Sequence, residues 1–224
     1  MKSNQEYKNA ALAALKGNWP SAIIATIIIV FISVVLSLPS TLLSVSLADR
    51  SMAVALQGTD VMTLNYVGMA LIILIVCPLA VGAANAFRRL LADGDGNVTS
   101  NMLGDSLSGY GHNLWGMLLM CIYVGLWSLL LVVPGIIKSL SYAMTPYILK
   151  DYPELSANQA INLSMKMMKG RKLDLFCLYL SFLGWIILSV LTLGIGYFWV
   201  IPYMYTAQSA FYQEVKTDYL NNNY

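Results

Sequence analysis

The stretch that decides the fold is 114–149, LWGMLLMCIYVGLWSLLLVVPGIIKSLSYAMTPYIL, in which Lys138 is the single charge. Its first part, 114–133, supplies the roughly 20 apolar residues that a bilayer-crossing helix needs. Pro134-Gly135 reads as a turn dipeptide, and a shorter run, 136–149, follows at once. Working outward, further apolar runs lie at 20–38, 66–87 and 173–193, the last with Asp174 at its entrance, and after a break at Gly194-Ile195-Gly196 at 197–212. Six apolar runs on one chain predict an all-α fold, a polytopic transmembrane bundle of about six spans within a single domain, 1–224.

The runs 136–149 and 197–212 are short, and segments of that length are often re-entrant or interfacial. Charge placement decides between these readings. If all six runs cross and the N-terminus is cytoplasmic, the inner segments hold Lys2, Lys8, Lys16, Arg88, Arg89, Lys150, Lys166, Lys169, Arg171, Lys172 and Lys216, eleven of the 13 Lys and Arg. Only Arg50 lies outside, and Lys138 lies within a run. If 136–149 did not cross, the five cations from Lys150 to Lys172 would move outside and the asymmetry would collapse. The fourth run therefore counts as a crossing, and both termini are expected in the cytoplasm. For the sixth run only Lys216 votes. Trp19 and Trp115 mark inner ends of runs, and Tyr66, Tyr197 and Trp199 outer ends. A cleaved leader ending near Ser46-Leu47-Ala48 is disfavoured, because the polar lead and the apolar run are both too long for a signal peptide.

Composition agrees. Hydrophobic residues are 58% and charged residues 11%, against about 45–50% and 25% in ordinary globular chains. That balance, with a net charge of +2, excludes disorder, a nucleic-acid surface and a water-exposed α/β enzyme. Cys77, Cys121 and Cys177 each sit in an apolar run, with no metal-ligand or redox spacing.

Two polar segments have amphipathic spacing. In 4–16, Tyr7, Ala10, Ala11, Ala14 and Leu15 recur at helical intervals, which predicts a short helix along the inner leaflet. In 153–169, a capping box from Asp151 with Glu154 or Ser156 with Gln159 opens a helix, Pro153 suits a first turn, and Gly170 ends it. Ile161, Met165 and Met168 form its apolar stripe. Lys166, Lys169, Arg171 and Lys172 flank that stripe, a pattern that suits anionic inner-leaflet headgroups or a docking partner.

A search for chemistry returns little. His112 is the single histidine, no run has Asp or Glu in its interior, and no serine stands beside a plausible base. The expectation is a non-enzymatic protein with no catalytic residue, cofactor or metal. Asp93-Gly94-Asp95-Gly96-Asn97 starts like a calcium loop but has Val98 and Gly104 where glycine and glutamate are needed, so it reads as a flexible turn. The candidate functional or interface positions are Lys138, the one charge inside a run, whose ammonium is expected to snorkel outward; Pro134 and Gly135 at the turn; Tyr205 and Gln208 on a polar stripe with Ser209 and Tyr212; inward-facing Asn85; and the four cations of 166–172. Cys177, Ser181 and Gly184 on the fifth run, and Gly82 with Ala86 on the second, are small-residue stripes suited to helix contacts. Pro78, Pro146 and Pro202 each fall in an even-numbered run. Ala83 and Ala86-Phe87 follow Pro78 at the same offsets as Ala207 and Ala210-Phe211 follow Pro202, a hint of three related hairpins.

From Leu126 onward the motifs form an ordered set: Pro134-Gly135-Ile136-Ile137-Lys138 with Ser141-Tyr142; Asp151-Tyr152-Pro153; Ala160-Ile161, Ser164 and Met168-Lys169-Gly170; Phe176 and Leu180-Ser181-Phe182-Leu183-Gly184-Trp185; Thr192-Leu193-Gly194-Ile195-Gly196; Pro202-Tyr203 and Phe211-Tyr212. With Gly17-Asn18-Trp19 near the start, this order resembles the bacterial integral-membrane family known as domain of unknown function 975. The resemblance implies a multi-pass protein of the bacterial cytoplasmic membrane and supplies no reaction, ligand or catalytic residue. Expected partners are the lipid bilayer and a membrane protein or second copy of the chain, not nucleic acid. The expected role is a scaffold or accessory membrane subunit, the competing one a permease or channel-like path for a small or amphipathic solute.

Overall fold

The computed structural model describes residues 2–48 and 59–223, and all regular structure among them is helical. Arg50 lies outside the described residues. The helices are α1 (Asn4–Leu15), α2 (Trp19–Ala48), α3 (Thr59–Asp93), α4 (Val98–Leu107), α5 (Tyr110–Leu130), α6 (Val132–Tyr142), α7 (Thr145–Asp151), α8 (Ala157–Met167), α9 (Lys172–Leu180), α10 (Leu183–Leu191) and α11 (Tyr197–Asn223). Among the described residues, four segments are long and apolar enough to cross a membrane: Trp19–Leu36, Tyr66–Asp93, Tyr110–Leu130 and Lys172–Leu191. The fourth run falls outside this set because the chain breaks it at Ala143-Met144 into α6 and α7. The sixth is part of the 27-residue α11, whose second half carries Gln213, Glu214, Lys216 and Asp218.

The helices are arranged as three hairpins that return to one end, here called the base. In the first, α2 runs out and α3 back, and Thr99 Oγ1 donates to the Ser21 carbonyl at 3.0 Å just beyond the end of α3. In the second, α5 runs out and α6 with α7 back, so that Lys150 Nζ donates to the Ser108 carbonyl at 2.5 Å, two residues before α5 begins. In the third, α9 and α10 run out and α11 returns, and Arg171 pairs with Asp218. The N-terminal segment meets α11 there too: the Lys2 backbone N–H donates to Glu214 Oε1 at 3.1 Å.

The reversal of the second hairpin differs from the expected one. Leu131 makes the turn, as a single extended residue (φ −162°, ψ 143°) between two helices, and Pro134-Gly135 lies inside α6. Proline suits that first helical turn, where its missing N–H would have no intrahelical partner. Gly135 is required for close approach: a Cβ there would lie 2.9 Å from Ser128 Cα. The third hairpin repeats the device, since a Cβ on Gly196 would lie 2.8 Å from Ser189 Cα, seven residues earlier as in the second. The two connections thus share one serine-glycine contact. Pro78 and Pro202 sit within continuous helices, whereas Pro146 begins α7 after the break and kinks nothing.

Both amphipathic segments fold as helices with reciprocal capping boxes, Ser3 with Glu6 and Ser156 with Gln159, and Gly170 (φ 82°) follows α8. Pro153 belongs to the loop before α8, because Ser156 is the residue that caps it. Their apolar faces turn to the protein. Tyr7, Ala11 and Leu15 of α1 are buried, with Tyr7 edge-on to Phe211 at 5.5 Å, so the apolar face of α1 docks on α11. Burying a side chain of that size contributes about 1.5–3 kcal/mol. Likewise Ala157, Ala160, Ile161 and Met167 of α8 are buried, and Tyr123 of α5 holds Asn158 at 2.9 Å.

The outward surface is apolar. Leu129 and Leu193 near the hairpin tips are 89% and 94% exposed, and Phe31, Leu126, Trp185 and Leu188 continue this surface along the legs. So extensive an apolar surface needs a lipid or protein cover.

Candidate functional site: an ion-paired junction at the base

Arg88 and Arg89 end the apolar part of α3, and the fold sets them against two carboxylates far along the chain. Asp151, the last residue of α7, has a side chain only 6% exposed. Its Oδ1 lies 3.2 Å from Arg88, and its Oδ2 accepts from Lys216 Nζ at 2.5 Å and from the Tyr212 hydroxyl at 2.7 Å. One carboxylate therefore ties together α3, α7 and α11. Arg88 also donates to Asn85 Oδ1 through Nε (3.0 Å) and a terminal nitrogen (2.7 Å). Asn85 in turn donates to Asp105 Oδ2 of α4 at 2.5 Å, and Arg89 reaches Asp105 Oδ1 at 3.2 Å. The result is a continuous chain, Lys216 to Asp151 to Arg88 to Asn85 to Asp105 to Arg89, in which each buried charge has a counter-charge or amide partner.

A second group of polar side chains satisfies the broken legs. At the break between α6 and α7, Ser164 Oγ accepts from the Met144 N–H (3.2 Å) and donates to the Ser141 carbonyl (2.8 Å), while Gln208 Nε2 lies 3.4 Å from the Ala143 carbonyl. At the break between α9 and α10, Lys8 of α1 donates to the Ser181 carbonyl at 2.6 Å, its ammonium 4.6 Å from the centre of the Phe182 ring. Burial draws that ammonium below the ordinary lysine range. Backbone groups freed at such breaks require partners, and polar residues of other helices supply them.

Most of the expected positions find roles in this framework. Asn85 is buried and central to the junction. Gln208 caps the α6–α7 break, and Tyr205 stacks on Phe87 at 5.4 Å. With Tyr179, Ile201 and Met204 they line a crevice of about 310 Å³. Lys138 sits over the Trp127 ring, 4.7 Å from its centre, with Tyr142 at 5.9 Å, so aromatic faces hold its charge inside the second hairpin. Pro134 and Gly135 shape the hairpin tip. Lys166, Lys169 and Arg171 converge on a cavity of about 450 Å³ with Asp218 opposite, while Lys172 begins α9 and is not on its wall. Gly82 lies against α4 beside Met102 and Ser106, as its stripe predicted. The stripe of Cys177, Ser181 and Gly184 does not make a helix contact: Cys177 and Gly184 face outward, because the break at Ser181-Phe182 turns the two half-helices relative to each other. Asp95 closes the Asp/Gly loop internally, accepting from Asn97 and Asn101, and these bonds hold its carboxyl below the usual range.

Sequence reasoning missed Asp105, Asp151 and Lys8. They lie at a run end, in the helix between two runs or in the N-terminal helix, where a charge looks solvated. The available signal was Asp151 and Lys216 each standing beside an apolar run end.

These features define a class: a helical bundle of three hairpins, with four segments able to cross a bilayer and an ion-paired base. Residues 117–218 match the family model described as "Protein of unknown function (DUF975)", the family that the motif order resembles. The matched part includes Asp151, Gln208, Tyr212 and Lys216, while Asn85, Arg88 and Lys8 precede it. No curated protein and no solved structure matches the chain.

Proposed function

We propose that the chain is a six-span, non-enzymatic protein of the bacterial cytoplasmic membrane, with both termini in the cytoplasm, that acts as a scaffold or accessory membrane subunit. Its base faces the cytoplasm, where Lys166, Lys169, Arg171 and Lys172 meet anionic headgroups or a partner protein. Two features support six crossings. The α6–α7 leg returns to the level at which α5 starts, and α11 returns to the level of Arg171. The observation that carries the scaffold reading is Asp151, which engages Arg88, Lys216 and Tyr212 at once and holds three helices shut at the base. A closed, internally paired end suits a rigid platform better than a gate. The test is gentle-detergent extraction with paired reconstitution. The reading predicts a stable complex larger than one chain, dissociated by K166E/K169E, and no solute flux in proteoliposomes. A lone chain that conducts solute would overturn it.

The crevice beside Tyr179, Tyr205 and Gln208 favours a second reading, passage of an amphipathic solute along α11. That reading predicts flux abolished by Gln208→Leu.

A further inference from the structure

Beside the junction, the base holds a cavity of about 360 Å³ between the end of α3, the α4–α5 connection and the end of α7. Arg88, Arg89, Lys150 and His112 line it, and Asp105 is the carboxylate on its wall. The charges do not balance. Asp105 is bonded by Arg89, and Asp151 by Arg88 and Lys216, while Lys150 donates to the neutral Ser108 carbonyl at 2.5 Å and feels Asp105 only at longer range. Including the junction, four cations face two carboxylates. Partial burial draws the Lys150 ammonium below its ordinary range, with Arg89 pushing the same way and the Asp105 carboxylate opposing.

Two further donors point to an anion. The 21-residue helix α5 starts at the cavity with Gly109 as its N-cap, and no side chain accepts from its first-turn N–H groups. Such an end carries partial positive charge and bare donors. In the same turn His112 Nε2 is buried and has no hydrogen-bond partner among the described residues. Leu107 and Trp115, flanking this turn in sequence, are exposed and apolar.

We propose that this cavity binds the phosphate of an anionic phospholipid headgroup, with Arg89, Lys150, His112 and the α5 N-terminus as ligands and the acyl chains lying over Leu107 and Trp115. A phosphodiester suits donors from several directions, and the exposed apolar rim favours a lipid over a free ion. The inference rests on the reading that the base lies at the inner membrane surface. Its test uses detergent-solubilised protein, so the outcome is independent of orientation in the membrane.

The full-length protein in a neutral detergent is titrated with short-chain phosphatidylglycerol, phosphatidylcholine of equal chain length, and inorganic phosphate, and thermal protection is followed. Phosphatidylglycerol is expected to protect and phosphatidylcholine not to. R89Q/K150Q is expected to weaken that protection at least about tenfold, with K16Q, on an exposed cation elsewhere, unchanged. Equal protection of R89Q/K150Q and wild type would overturn the proposal. Protection by inorganic phosphate that phosphatidylglycerol cannot reproduce would overturn the lipid as occupant. Should R89Q/K150Q fail to fold, the wild-type chain supplies the second readout, because His112 is its single histidine and gives one imidazole Nε2 resonance. That resonance should shift with phosphatidylglycerol and not with phosphatidylcholine, and an unmoved resonance would refute the site.

Discussion

Replacing Asp151 with Asn removes one charge without changing the shape of the side chain, and leaves Arg88 and Lys216 facing each other across a neutral amide. Removing one partner of a fully buried ion pair costs about 3–5 kcal/mol. Here the carboxylate is 6% exposed but Arg88 and Lys216 are 23% and 29% exposed, so water recovers part of the loss. An expected destabilisation of about 2–4 kcal/mol remains. For a chain of this length each kcal/mol moves the unfolding midpoint by about 2–4 °C, which gives a fall on the order of 5–15 °C. The assay is thermal unfolding in mild detergent, read from tryptophan fluorescence. The internal control is Arg171→Gln, whose partner Asp218 is 39% exposed and whose loss should cost at most about 1 kcal/mol. A double variant with Lys216→Met should lose less than the sum of its parts, because it removes the cation that the first substitution strands. An Asp151→Asn protein no less stable than Arg171→Gln would refute the claim that this carboxylate holds the base together.

Gln208→Leu and Ser164→Ala should each lower stability by about 1–3 kcal/mol, since each leaves backbone groups of the α6–α7 break without a partner; unchanged unfolding midpoints would count against the capping role. Gly135→Ala and Gly196→Ala should each cost about 1–3 kcal/mol by forcing apart the Ser128 and Ser189 contacts, measured in the same unfolding assay. Lys8 predicts a pH effect. Its folded-state value lies below the ordinary 10.5, so the unfolded chain holds the proton more firmly and stability rises as pH climbs through the window between the two values. Lys8→Met should flatten that rise relative to wild type, and an identical pH profile would exclude the effect.

The apolar runs, the capping boxes and the glycine after α8 were legible because each is set by neighbours within a few residues. Ser156 and Gln159 are three apart, and their bonds form wherever that helix forms. The breaks were not legible. Nothing local distinguishes 136–149 or 173–193 from unbroken helices, and what stabilises the breaks are side chains distant in sequence: Gln208 for Ala143, Lys8 for Ser181. The junction was hidden for the same reason, since Asp151 and Lys216 are 65 residues apart and each alone reads as a solvated charge at a run end. Asn85 was recognisable because an amide within an apolar run must face inward. The stripe on the fifth run misled because its spacing assumes an unbroken helix through Ser181. The amphipathic faces of α1 and α8 were recognised, but periodicity marks only that a face seeks cover, and here protein supplies it.

The account depends most on six legs that return to a cytoplasmic base, and cysteine labelling in whole cells tests this directly. With Cys77, Cys121 and Cys177 replaced by Ala, Leu193→Cys at the third hairpin's tip and Lys166→Cys at the base are exposed to a membrane-impermeant maleimide. The account predicts labelling at position 193 in intact cells and at 166 only after permeabilisation. Labelling at 166 in intact cells, or protection at 193, would contradict it.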